Sequence, residues 1–513
     1  MIAARTVVME APIVVSTPGR ITTGCDRCRR AHPVLLLSSL NISRQLPIVS
    51  WPLILGKPAA HGHPLGARML RPESLIERSP QGIAAEISRL AHDGTLAAGE
   101  RLPTVRQVAA ALGVSAGTVA TAWRALADAG VIVSRGRAGS FIRSERPEWL
   151  SPRVQGLTTA ADVRLDLSLG TPDPSMLPAL DAAFSRVATR AETGSYQDEP
   201  VLPGLRDVLR EQFPSAVEAI TVVDGAIDGV ARTLEQVVRF GDRVAVESPG
   251  FPYFFDLVDA LGAVTLPLEV DRDGVTPASL ARALGQRPAA VVLQPRAQNP
   301  TGASMPADRA RALASVLRGT AGGDRVVVIE DEHSAFTCSA PEITLARWIP
   351  AQVVQVRSFS KSHGPDLRIA ALAGPAHLIE RIVARRMLGP GWTSKLLQAV
   401  LLDLLTDPAS VARVRSARLI YRDRIDRLAD ALRRLGIDVG GPDGINLWLP
   451  VTDERAAAVH LAASGIAVAA GTPFIAPGRA TAPHVRVTGG VVAENTRLVA
   501  EALADAASAT APG

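Results

Sequence analysis

The chain has 513 residues, 47% hydrophobic and 20% charged, which is enough for two to four domains around a large core and too apolar for a disordered protein. Its net charge of +5 is uneven: residues 1–77 carry +5, residues 78–146 carry +4 and the remainder −4, the asymmetry expected where one end meets a polyanion. Three cysteines (Cys25, Cys28, Cys338) rule out a disulfide framework, and no stretch of 18 apolar residues occurs, so a cytoplasmic protein without a membrane span or secretion signal is expected.

Residues 1–77 show no sustained period and read as a poorly structured basic leader. Cys25-x2-Cys28-x3-His32 has the spacing of half a zinc site, but His61-x-His63 does not complete it, so no metal is expected. From Gly82 the texture changes. Ile83, Ile87 and Leu90 predict a first helix, and Thr104 opens a second that ends at Gly113. Ser115 caps a third, carrying Val119, Trp123 and Leu126. Two short strands, residues 131–133 and 140–142, flank an arginine-bearing tip with Arg135 and Arg137. A helix-turn-helix with a basic ribbon can set its second helix in the DNA major groove, while arginines meet phosphates. The bland alternative is a three-helix domain whose arginines are only solvated.

The run Gly99-Glu100-Arg101-Leu102-Pro103-Thr104-Val105-Arg106-Gln107-Val108-Ala109, then Leu112-Gly113-Val114-Ser115-x-Gly117-Thr118-Val119, resembles the GntR-type winged helix over residues 78–142. The resemblance implies Thr104, Arg106, Ser115, Gly117, Thr118, Arg124, Arg135 and Arg137 as DNA-binding residues on a double-stranded operator. Members of that family often carry an arginine after this serine. Here it is Ala116, so one cationic contact is expected to be missing.

Residues 143–165 lack pattern and read as a linker. Beyond them, short β-branched runs at 243–247, 289–293, 326–329 and 353–356 alternate with helical patterns, the rhythm of a large α/β domain with a buried parallel sheet. A long helix from about Arg415 to Leu435, strands near 445–449 and 484–488 and an Ala-rich final helix predict a small α+β subdomain.

Lysine occurs only at Lys57, Lys361 and Lys395, so chemistry that needs an amine has three candidates. Only Lys361 follows a predicted strand and lies among hydroxyls with an arginine close by, in Ser358-Phe359-Ser360-Lys361-Ser362-His363-Gly364 with Arg368. That is a phosphate cradle around an amine, as a pyridoxal phosphate site requires. Upstream, Asp331 closes a buried strand, Asn299-Pro300-Thr301-Gly302 ends another, and Asp224-Gly225-Ala226-Ile227 opens a helix whose free N–H groups can take phosphate. Phe251 can stack on a ring. Taken singly, these are a turn, a core residue and a helix cap.

Together, and in this order, they resemble the fold-type I, class I/II aminotransferase family over residues 166–513. The match extends to Gly170-Thr171-Pro172-Asp173-Pro174, to Tyr196 with Leu202-Pro203-Gly204-Leu205-Arg206, and to Val485-Arg486-Val487. The resemblance implies Lys361 as the catalytic lysine in an internal aldimine with pyridoxal 5′-phosphate, Asp331 at the pyridine nitrogen and Asn299 at the phenolic oxygen. Ser358, Ser360, Arg368, Ala226 and Ile227 would take the phosphate, with Tyr196 reaching it from a neighbouring subunit. Phe251 would cover the ring, and Arg486 with Gly170 would bind substrate. A tyrosine that donates to the phenolic oxygen is replaced by His333, and polar residues of the phosphate helix by Ile227 with Asp228 beside it. These departures suit a site that binds and senses more than one that turns over.

A winged helix-turn-helix joined to such a domain resembles the MocR (GabR-like) regulators. The resemblance implies a homodimeric, PLP-dependent transcriptional regulator that senses an amino compound or PLP through Lys361. An active aminotransferase with an accessory DNA-binding domain is the other reading the residues leave open.

Overall fold

The computed structural model describes residues 78–92, 94–97, 99–128, 131–134, 139–142, 150–155, 163–188 and 194–510. The expectations for the leader, with Cys25, Cys28, His32, Lys57, His61 and His63, and for the wing arginines Arg135 and Arg137 fall outside them.

Helices α1 (Pro80–His92), α2 (Val105–Leu112) and α3 (Ala116–Asp128) pack around Ile83, Ile87, Leu112, Val119 and Leu126, all buried. Burying each of these large aliphatic side chains stabilises the domain by roughly 2 kcal/mol. Thr104 begins α2 with a reciprocal capping box: its hydroxyl accepts from the Gln107 N–H at 3.3 Å, and the Gln107 side-chain oxygen accepts from the Thr104 N–H at 2.9 Å. Gly113 ends it at φ 65°, which only glycine adopts without cost. Strands β1 (Ile132–Ser134) and β2 (Ser140–Ile142) pair antiparallel. A third segment joins this ribbon, with Leu102 N–H donating to Ser140 and Ile142 N–H to Glu100, both at 2.8 Å. The sequence shows no strand there because Pro103 cuts it short.

The stretch expected to be an unpatterned linker contains two ordered pieces. Helix α4 (Pro152–Gln155) carries Arg153, whose guanidinium pairs with Asp256 and Asp259. Strand β3 (Leu165–Asp166) pairs parallel with β13 (Ile466–Ala467). Four and two residues are too few to print a periodicity.

The body is built on eight strands: β4 (Ala219–Val223), β5 (Arg243–Ser248), β6 (Val264–Asp271), β7 (Gly274–Val275), β8 (Ala290–Leu293), β9 (Val327–Glu332), β10 (Val353–Ser358) and β11 (Ala370–Gly374). Their order in the sheet is β4-β11-β10-β9-β8-β5-β6-β7. All run parallel except β11 and β7. Side chains of β8 alternate between two cores: Ala290 and Val292 meet one, Val291 and Leu293 the other. Helices α5 (Leu180–Ala188) and α6 (Pro203–Gln212) precede β4. Helices α7 (Ala226–Val237), α8 (Pro252–Ala260) and α12 (Ala376–Met387) cover one face, and α9 (Pro277–Leu284) and α10 (Ala307–Gly319) the other.

The short helix α11 (Ser360–His363) follows β10, and α13 (Lys395–Thr406) packs on α5 and α6. The 27-residue α14 (Pro408–Arg434) leads into a small α+β layer of β12 (Leu447–Pro450), α15 (Glu454–Ala463), β14 (Ala469–Ala470), β15 (His484–Val487) and α16 (Thr496–Ala507). Among the described residues no helix is long and apolar enough to cross a membrane.

Candidate functional site

In a mostly parallel sheet the carboxyl ends of the strands share one edge, and ligands bind there. Five strands end at this edge with the residues singled out above: β4 before Gly225, β5 before Phe251, β8 before Asn299, β9 at Asp331 and β10 before Lys361.

Asp331 is buried. Its Oδ2 accepts from Gln294 Nε2 at 2.8 Å, while its Oδ1 is buried with no partner. Burial pushes this carboxyl up to about 6, and the nearby Lys361 opposes the shift. Gln294 is a hub that motif reading missed. Its N–H donates to Glu247 at 3.1 Å, and its side-chain oxygen accepts from the Asn299 N–H at 2.8 Å, tying three strand ends together. Glu247 is fully buried, and burial pushes it up to about 8.

The amine of Lys361 lies 2.5 Å from His333 Nδ1. Burial, helped by the charge of Arg486, pulls Lys361 down to about 7. His333 Nε2 is 2.8 Å from the Ala297 carbonyl, and burial holds the imidazole well below its usual value. Both ring nitrogens are therefore engaged, so His333 does not present the free donor that the replaced tyrosine would offer a phenolic oxygen. Just before it, Glu332 receives a buried fork from Arg296, with Nη2 at 2.5 Å and Nε at 3.1 Å. That pair, also unforeseen, fixes the end of β9.

The first turn of α7 is capped by no side chain, and its helix begins at Gly225 with φ 105°. A Cβ there would stand 2.4 Å from Arg368 Nη2. Arg368 itself sits at φ 48° and donates to the Asp224 carbonyl at 3.2 Å. Asp224 is held from behind by buried Arg386 at 3.0 Å and by Thr393 at 2.6 Å, two residues that no sequence signal marks. Ala226 and Ile227 are half-buried at the helix start, and Ser358 is buried with its hydroxyl 3.3 Å from the Ser360 N–H. Phe251 caps α8 and meets the rings of Tyr253 and Phe254 at 5.2 and 5.6 Å.

Arg486 on β15 is buried 5.0 Å above the Phe474 ring. It donates to the Ser168 carbonyl, Nη1 lies 3.5 Å from Asn299 Oδ1, and Nε has no partner. A Cβ on Gly170 would come within 2.9 Å of Nη1. Burial lowers this guanidinium to about 10. The structure thus brings Lys361, His333, Asp331, Asn299, Arg486 and Gly170 close to one another, with Arg368 beside Gly225 at the start of α7. Tyr196 is apart, 89% exposed on the surface with Trp392 at 6.2 Å.

On the small domain, Thr104, Arg106, Ser115, Gly117 and Arg124 are exposed and Thr118 half-exposed. The Ser115 hydroxyl is engaged as the cap of α3, accepting from the Thr118 N–H at 3.0 Å and lying 2.8 Å from its hydroxyl. Arg101 lies beside Gly139 at the wing and adds a cation that the motif reading left out.

An amine at the end of a parallel strand, a buried carboxylate with one unpartnered oxygen and a phosphate cup only glycine leaves open define a pyridoxal phosphate-binding protein, here preceded by a winged helix. The family model for aminotransferase class I and II matches residues 164–503, and that for bacterial regulatory proteins of the gntR family matches residues 80–142. The chain belongs to the MocR-type transcriptional regulators, which join these two domains. It is 40% identical over 393 residues to the vitamin B6 salvage pathway transcriptional repressor PtsJ of Salmonella typhimurium, covering 74% of this chain and 87% of that one. It is 30% identical over 434 residues to the HTH-type transcriptional regulator TauR of Rhodobacter capsulatus, covering 75% and 87%.

Among solved structures, a multiple substrate aminotransferase from Thermococcus profundus superposes with a TM-score of 0.61 at 20% identity, over 70% of this chain and 95% of that one, and so shares the fold. Pyridoxal 5′-phosphate is the cofactor of this domain family, and the orphaned Asp331 oxygen and the glycine-lined cup fit its pyridine nitrogen and its phosphate.

Proposed function

We propose that the body is the sensing half of this regulator and that its signal is an amino compound bearing a carboxylate. Ser358, Ser360, Arg368 and the first turn of α7 hold the cofactor's phosphate, with Tyr196 added by a second subunit of a homodimer. Asp331 takes the pyridine nitrogen, Asn299 the phenolic oxygen and Phe251 the ring. When bound, the cofactor supplies an electrophilic carbon that Lys361 or an incoming amine can attack. The observation that carries the reading is Arg486, a buried guanidinium with no carboxylate at ion-pair distance among the described residues, although the charge of Asp166 acts on it, and close enough to Lys361 for its own charge to act on that amine. A buried fork of this kind recognises a planar carboxylate.

The operator is read in the cytoplasm by the small domain, with Ser115, Gly117 and Thr118 at the start of α3, Thr104 and Arg106 on α2, Arg124 further along and the wing. The segment after the wing contacts the body at β3, which pairs with β13, and at Arg153, which grips Asp256 and Asp259 on the helix that Phe251 caps. A rearrangement at the ring has a direct path to that segment, and the ligand shifts the protein between two arrangements of different DNA affinity.

Purified protein should show a visible cofactor band that Lys361→Ala abolishes; no band in either protein would sink the cofactor assignment. Amino donors and keto acids in excess should give at most slow turnover while changing operator affinity. Rapid multiple turnovers with unchanged DNA binding would favour an aminotransferase. A second reading, in which loading with pyridoxal phosphate is itself the signal, is supported by the 40% identity to a repressor named for vitamin B6 salvage. Operator affinity that changes on adding pyridoxal phosphate alone would favour it.

A further inference from the structure

The chain places a histidine against its own reactive lysine, and the hydrogen bonds around that histidine determine what it can do. His333 Nε2 lies 2.8 Å from the carbonyl oxygen of Ala297, an atom that can only accept, so Nε2 carries the proton. Nδ1 is then a bare acceptor, and the atom in front of it is Lys361 Nζ at 2.5 Å. The Ser334 hydroxyl, 3.1 Å from the same nitrogen, is a second donor to it. The ring cannot swing away. It is buried at the end of β9, with Glu332 anchored to Arg296 on one side and Ser334 followed by a turn bonded to Thr337 and Cys338 on the other.

We propose that His333 is a positioning residue for the free amine of Lys361. Through Nδ1 it accepts an N–H of the lysine whenever that lysine is not joined to the cofactor, and it stabilises the protonated form of the amine. The proposal rests on the assignment of Lys361 as the cofactor lysine. A charge-assisted hydrogen bond is about twice as strong as a neutral one, so the bond favours the ammonium over the neutral amine. It opposes the other influences on Lys361, namely burial and the charge of Arg486, and acts alongside Asp331 and Cys338; His333 itself also faces Arg296 and Arg486. Any event that liberates Lys361 is thereby favoured, because the displaced amine has a built acceptor. That suits a site whose purpose is to keep an amino ligand.

Two isosteres separate this role from a merely structural one. In His333→Asn the side-chain oxygen occupies the place of Nδ1 and the tie to Ala297 is lost. In His333→Gln the amide reaches Ala297 in the place of Nε2 and no acceptor remains at Nδ1. The probe is pyridoxal 5′-phosphate added to full-length apo-protein, with its capture rate followed by absorbance from pH 5.5 to 9. The midpoint of the rise in rate reports deprotonation of Lys361.

The expected result is a midpoint shifted to lower pH by about one unit in His333→Gln, a tenfold change in the fraction of neutral amine below the midpoint, and close to wild type in His333→Asn. An unshifted Gln variant, or equal shifts in both variants, would overturn the proposal. Wild-type protein that captures no cofactor at any pH would instead overturn the assignment of Lys361, and the proposal with it.

Discussion

Gly225→Ala is the sharpest test of the phosphate cup. The residue sits at φ 105° and ψ 166°, a region essentially closed to side-chain-bearing residues, so the backbone term alone costs about 1–3 kcal/mol. The added methyl would lie 2.4 Å from Arg368 Nη2 and 3.0 Å from its Cζ. Neither distance is tolerable, and the guanidinium is the part that can move. Arg368 is anchored at its backbone (φ 48°) and only loosely at its head, by bonds of 3.2 Å to Asp224 and 3.5 Å to Pro365, so its guanidinium would swing away from the start of α7. A hydrogen bond to a charged group contributes about 1.5–3 kcal/mol, so pyridoxal phosphate should bind roughly 10- to 100-fold more weakly.

Equilibrium titration of apo-protein with pyridoxal phosphate would measure this loss, with pyridoxal as the control because it lacks the phosphate. Equal losses for both ligands would refute the argument, since the damage would then lie in the strand ends at large. Combining the change with Arg368→Ala should add little to either single variant.

Arg153→Ala should leave cofactor loading intact and abolish most of the ligand-induced change in operator affinity, measured by fluorescence anisotropy. An unchanged response would place the coupling elsewhere. Arg106→Ala should weaken operator and random DNA alike and lower the salt slope of binding by about one, as loss of a single phosphate contact requires; an intact slope would remove Arg106 from the DNA surface. Glu247, held near 8 against its ordinary 4.5, keeps a proton in the folded apo-protein that the unfolded chain gives up. Its contribution to stability is complete below about pH 4.5 and is lost as the pH rises towards 8. Glu247→Gln should therefore become relatively more stable by about 1.4 kcal/mol per pH unit across that window in urea titrations of apo-protein. Parallel pH curves for the two proteins would mean that Glu247 titrates normally.

The winged helix was legible because its information is local. A capping box at Thr104 and Gln107, a left-handed Gly113 and a serine cap at Ser115 are satisfied within four residues of chain, and each can be read from a short window. The parallel strands were legible for a related reason: strands buried on both faces need an apolar run, and β5, β8, β9 and β10 each carry one (Val244–Val246, Ala290–Leu293, Val327–Ile329, Val353–Val354). Strand β11 was not foreseen, nor its antiparallel direction, because its small apolar residues between buried neighbours do not reveal which way the strand runs.

The two-domain architecture and the kind of chemistry can be read along the chain: three lysines, one of them framed by hydroxyls and an arginine, leave little choice of amine. What each polar group faces depends instead on how the chain folds back on itself. Gln294, Arg296, Arg386 and Thr393 stand 36 to 169 residues from the carboxylates they hold, and nothing in their own neighbourhoods marks them. His333 could be read as a replacement but not as an acceptor, because its tautomer depends on a carbonyl 36 residues away. A motif specifies which groups are available. Burial and long-range hydrogen bonds specify their protonation and direction, and these arise only when distant strand ends meet at one edge of the sheet.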